Sequence, residues 1–161
     1  MDLSHWFHQQ LQTSTEGFLW AVEQIPPERL YLEPRPGKWP VARLLFHLVC
    51  YDRTIGLPAL RQWIGEPFSM DGLTRSAEGD TALEEANWKH GEGHEMQAMI
   101  VEFKKLRDEQ LSLIQHFPEQ AWREERDVLW GPRALIWVVT KTYQHTLEHT
   151  DEILRAYLWW R

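Results

Sequence analysis

From about Pro132 to the C-terminus the chain has no internal Gly or Pro and reads as one long helix. This segment carries Tyr143-Gln144-His145-Thr146-Leu147-Glu148-His149-Thr150-Asp151-Glu152. Residues four apart in a helix stand one turn above each other on the same side, so His145 and His149 present two imidazoles to one point. A rigid rod can place two metal ligands in this way. A zinc-like ion takes neutral imidazole nitrogens at roughly 2.0–2.1 Å and needs at least one further ligand from elsewhere in the fold. The chain has eight histidines, and the same spacing also suits a pair of hydrogen-bonded imidazoles with no metal. A third ligand is what separates the two readings.

The rest of the chain is also helical in pattern. From about Leu3 to Ile25, Phe7, Leu11, Phe18, Val22 and Ile25 recur at helical spacing until Pro26-Pro27 stops them. Glu33 to Lys38, with two Pro and one Gly, is a connecting loop. Trp39-Pro40 then opens a second helix, with Pro40 expected at its first position, where the missing N–H costs nothing. Val41, Leu44, Leu45, Leu48, Tyr51 and Ile55 form its inward stripe, and His47 lies beside that stripe. Gly56 and Pro58 are expected to weaken the helix and kink it before Trp63-Ile64-Gly65. A third helix runs from about Glu95 to Phe117, with Met96, Met99, Ile100, Phe103, Leu106, Leu113, Ile114 and Phe117 inward, the methionines as core filler, and its other face charged.

The long connection between the second and third helices, Glu66 to His94, holds Thr81-Ala82-Leu83-Glu84, which has the form of a capping box and predicts a short helix from about Ala82 to Lys89. A connection of this length is often functional, for example as a lid, and a solvated surface excursion is the plain alternative. Glu119 to Arg133 reads as irregular, with Gly131-Pro132 marking the start of the last helix. No stretch alternates as a half-buried strand does, so the expected fold is all-α: four long helices, one short one, and no internal repeat.

A length of 161 residues suits one domain, expected over 1–161, with a core that needs no disulfide. Cys50 is the only cysteine and reads as an inert buried thiol. The net charge of −7 and the absence of a basic run argue against a nucleic-acid surface. Met1 to Trp20 lacks the apolar block of a signal peptide, and the longest purely apolar run, Ala134 to Val139, is far too short for a membrane span. A cytoplasmic protein with no membrane partner is expected. The ten tryptophans lie mostly near predicted helix ends, where a ring can cover the core and keep its N–H wet.

His47 is the one other histidine in the middle of an amphipathic helix, and with His145 and His149 it would make a three-histidine site with open positions. Here the chain resembles a family. Gly37-Lys38-Trp39-Pro40-Val41-Ala42-Arg43-Leu44-Leu45-Phe46-His47-Leu48-Val49 is similar to the Trp-led second helix and first ligand of the DinB-like (DinB/YfiT) superfamily of four-helix-bundle metalloproteins, and His145-Thr146-Leu147-Glu148-His149 to its paired ligands. The likeness spans most of the chain. It implies a DinB/YfiT-type bundle with the extra short helix in the long connection, and His47, His145 and His149 as ligands of one divalent transition metal per chain, with zinc, nickel and iron all suited to imidazole. One departure is visible: Pro40 stands where the family has a small polar cap.

Proteins of this kind include thiol-dependent transferases and isomerases and proposed hydrolases, so the resemblance implies a metal-dependent enzyme that activates a low-molecular-weight thiol toward an electrophile. A hydrolase using metal-bound hydroxide and a stress-related metal- or small-ligand-binding module are the alternatives. Asp52 and Glu152 are candidates for orienting a ligand imidazole or moving a proton, each also readable as a solvated or salt-bridged carboxylate. Asn87 and His94 are candidates for the pocket mouth. A second apolar stripe on the last helix, Ile136, Tyr143, Leu147, Leu154 and Tyr157, is either sandwiched between neighbours or an interface, and a homodimer is expected.

Overall fold

A computed structural model describes residues 2–69, 88 and 95–159 of the chain. Helix α1 spans Leu3–Glu23 and starts at Asp2, whose Oδ1 accepts the His5 backbone N–H at 3.2 Å and satisfies a donor that a helix start leaves orphaned. Its buried stripe is Phe7, Leu11, Phe18 and Val22, continued by Ile25. Helix α2, Val41–Tyr51, begins one residue later than the sequence suggests. Pro40 is its extended N-cap and supplies no side-chain hydrogen bond. The Ala42 N–H instead donates to the Leu30 carbonyl at 2.9 Å, so a backbone oxygen of the preceding loop caps the helix in place of a polar side chain.

Where Gly56 and Pro58 are expected to kink the helix before Trp63, the rod passes through a widened turn. A five-residue π-helical turn, Asp52–Gly56, leads into the short helix α3, Leu57–Arg61, and a 3-10 turn, Gln62–Ile64, that stops at Gly65 with φ +89°. Pro58 has no N–H to give the carbonyl four residues back, and a wider turn just before it accommodates that lost bond without breaking the rod. Gly56 is there for close approach: a Cβ on it would meet Asp52 Oδ1 and Tyr51 Cε1, each at 3.2 Å.

Helix α4 spans Met96–His116 and helix α5 spans Leu135–Ile153, with a π-helical continuation over Leu154–Trp159. Two short strands, β1 (Glu125–Val128) and β2 (Gly131–Ala134), pair antiparallel between them, where the sequence suggested irregular chain. Gly131-Pro132 therefore belongs to a strand, and α5 starts three residues after Pro132. The two strands carry no alternating pattern because within them only Val128 and Gly131 are buried, and Pro132 is tolerated because a two-stranded sheet is all edge. The all-α class stands, with this hairpin as a small addition. Of the predicted short helix near Ala82 only Trp88 is described, its ring 5.4 Å from Phe46; the rest lies outside the described residues.

Helix α1 packs along α5 and α4, and α2 lies against α4 and α5. The interior has two apolar halves. One gathers Phe18, Leu45, Leu48, Met99, Phe103 and Ile153; the other gathers Leu11, Leu60, Ile114, Trp122, Leu135 and Val138. On every long helix the residues between these halves are polar and buried: Ser14 and Thr15 on α1, Asp52 after α2, Arg107 and Gln110 on α4, Thr142 and Thr146 on α5. A polar belt thus crosses the middle of the bundle.

Trp122 departs from the helix-end role expected of the tryptophans. It is fully buried, stacks on Phe7 at 4.8 Å, and donates its indole N–H to Ser4 Oγ at 2.9 Å. The second stripe of α5 is split: Tyr143 packs against Trp6 and Phe7 of α1 and Tyr157 is buried, whereas Ile136 and Leu147 are exposed. Among the described residues no helix is long and apolar enough to cross a membrane.

Candidate metal centre

The rod from α2 and the helix α5 bring three histidines together. His47 Nε2 lies 2.9 Å from His145 Nε2, and His149 Nε2 lies 3.1 Å from the same atom. Their ring centroids form a nearly equilateral triangle with sides of 4.8, 4.9 and 5.1 Å. Each ring has a support. Trp39 meets His47 edge-on at 5.3 Å, Tyr51 meets His145 edge-on at 4.7 Å, and Glu152 Oε2 takes the Nδ1–H of His149 at 2.6 Å. Among the described residues this is the one group of three His, Cys, Asp or Glu side chains that could hold a metal ion.

The donor chemistry fits such an ion. Glu152 is held below the usual carboxylate range, first by its hydrogen bond to His149, so it accepts and His149 Nδ1 keeps its proton. In the neutral ring that leaves Nε2 of His149 with a bare lone pair. If His145 Nε2 donates to it, the same nitrogen cannot accept from His47. No set of neutral tautomers makes a linear hydrogen bond of both contacts, whereas three bare nitrogens facing one cation satisfy both. Burial pushes His47 down to about 4, with the nearby His149 adding to the effect, and burial pushes His145 down to about 2, with His47 and His149 adding. Both rings are therefore neutral, as ligands must be. Nitrogens bound at about 2.05 Å would stand roughly 2.9 Å apart at a right angle and roughly 3.3 Å apart at the tetrahedral angle, which brackets both observed edges.

Of the readings of Asp52, the structure shows the salt-bridged carboxylate. Its Oδ2 accepts from Arg107 Nε at 2.7 Å, with the two side chains 0% and 1% exposed. Arg107 Nη2 donates on to Thr146 Oγ1 at 2.8 Å, and Thr146 donates to the Thr142 carbonyl at 3.1 Å. Burial raises the Asp52 carboxyl and the Arg107 charge opposes that rise. The pair ties the rod of His47 to α4 and, through Thr146, to the helix of His145 and His149. Arg107 is buried here and is not part of the charged outer face of its helix. The signal for this is its phase: Phe103, Arg107, Gln110 and Ile114 continue one buried stripe at spacings of four and three. Cys50 is half-buried. Asn87 and His94 lie outside the described residues.

A cleft of about 440 Å³ opens beside the histidines. His149, with its side chain 14% exposed, and Glu152 line it together with Trp39, Leu44, Ala156 and Tyr157. Trp39 lines this cleft and also braces His47, so one ring joins the space for a ligand to the first imidazole.

Among curated proteins and among solved structures nothing matches the chain significantly. A family model described as the DinB superfamily matches residues 10–153, a span that takes in α1, the His47 rod and the His145–His149 helix. The chain belongs to the DinB superfamily.

Proposed function

We propose that the protein is a metal-dependent enzyme in which His47, His145 and His149 hold one divalent transition-metal ion and a small thiol is activated there for transfer to an electrophile. The observation that carries this reading is the convergence of three imidazole Nε2 atoms from two separate elements at the edge of a cleft large enough for a small molecule. When bound, such an ion would supply a Lewis-acid centre that lowers the pKa of a thiol or water it binds. The chain's own residues set the rest. The three imidazoles bring no negative charge, so an anionic sulfur is the better-matched additional ligand. Glu152 fixes the His149 ring through Nδ1. Trp39, Leu44 and Tyr157 keep the neighbouring wall apolar.

One observation favours a second reading, hydrolysis. Glu152 is half-exposed in the cleft beside His149, where a carboxylate could take a proton from water. A chromogenic electrophile offered to metal-loaded protein separates the two. Consumption that depends on an added thiol and disappears in His149→Ala supports transfer; ester or amide cleavage without any thiol supports hydrolysis. Metal uptake with neither activity leaves a binding module. The exposed Ile136 and Leu147 on α5 suit the homodimer that forms part of the same proposal.

A further inference from the structure

The cleft beside the imidazoles has a charge opposite to that of the protein. Arg35 and Lys38 from the loop before α2 and Arg155 from the end of α5 line it, against one carboxylate, Glu152. The chain as a whole carries −7. Arg155 Nε is already bonded to Asp151 at 2.6 Å, and Glu152 already accepts from His149. Lys38 is exposed, on the rim, and next in sequence to Trp39, the ring that braces His47. Lys38 brings a positive charge to the cleft beside the apolar rings, and an anion placed there makes a charge-assisted hydrogen bond with it.

We infer that the cleft binds an elongated small molecule with an anionic end, a carboxylate or a phosphate, that pairs with Lys38 while its apolar body lies along Trp39 and Tyr157 and its far end reaches His149. The volume of about 440 Å³ suits a ligand of that size. Only the assignment of the far end to the imidazoles rests on the proposed metal centre; the preference for an anion rests on the lining alone. The substrate or co-substrate class follows: a molecule carrying a carboxylate or phosphate at the end remote from the reacting group.

Titration calorimetry with 3-phenylpropionate and the neutral 3-phenylpropanol tests this on the full-length protein. The acid should bind about tenfold tighter at low salt, and the advantage should shrink as salt screens the rim. Lys38→Ala should lose the advantage. Lys104→Ala, which removes the same charge from an exposed position on α4, should keep it. No preference in the unsubstituted protein overturns the inference. So does a preference that survives Lys38→Ala, including one that His149→Ala removes, since the anion would then sit at the imidazoles. A Lys38-dependent preference in protein that takes up no metal upholds the inference and sinks the metal centre. Metal uptake without that preference does the reverse. In a parallel titration, 3-phenylpropyl phosphate binding more than threefold tighter than the acid assigns the anionic end to phosphate, and weaker binding assigns it to carboxylate.

Discussion

His145 and Thr146 are neighbours in sequence, yet they belong to polar clusters of opposite kinds. Thr146 joins Asp52 and Arg107 in a closed set, where the charges cancel inside the bundle and the bonds run from one side chain to the next. His145 joins His47 and His149 in an open set, where its Nε2 meets those of the other two rings at 2.9 and 3.1 Å. The first cluster balances its own charge, because a guanidinium and a carboxylate are complementary, while Asp52 Oδ1 and Arg107 Nη1 find no hydrogen-bond partner among the described residues. The second consists of like groups and is completed only by something brought in from outside. The closed cluster fixes where the helices lie, and the open one uses that placement.

Breaking the closed cluster should have the largest effect on stability. Arg107→Met leaves the Asp52 carboxylate buried and unpaired, and should cost about 3–5 kcal/mol in denaturant unfolding, whereas adding Asp52→Asn should recover much of that loss. A small loss in Arg107→Met alone would show that the pair does not tie the rods. The open cluster should announce itself through pH. Folded His47 has its pKa pushed down to about 4, below the ordinary 6.5, so the unfolded chain binds the proton first. Stability of the metal-free protein is then complete above about pH 6.5 and falls as pH drops toward 4, by about 1.4 kcal/mol per pH unit for this site. His47→Gln should flatten that slope, and an unchanged slope would contradict the assignment. A smaller effect is expected from the outer support. Glu152→Gln should weaken divalent-metal binding about tenfold in a chelator competition, with the fold intact by circular dichroism.

The same contrast explains what could be read before the structure. The apolar stripes of α1 and α2 are legible because each position repeats the same demand, burial, at helical spacing. His145 and His149 are legible because ligand spacing is set within one helix. The meeting of His47 with them is a tertiary fact, and the resemblance of Gly37 to Val49 to a known family supplied it. The Asp52–Arg107 pair is not legible, because a charged side chain looks solvent-facing by type, although both stand in phase with buried neighbours. The β1–β2 hairpin was missed because it buries too little to leave an alternating pattern. The π turn arises from Pro58 and Gly56 acting together with the Asp52 cluster, which no local pattern displays.

Imidazoles from two separate elements are proposed to share one cation. Elemental analysis of the protein after exposure to zinc, nickel or iron, followed by removal of free ion, tests it most directly when the unsubstituted chain is set beside His47→Ala, which leaves the α5 pair untouched. About one metal per chain is expected, and close to none in the variant. Equal metal in both, or none in either, would contradict it.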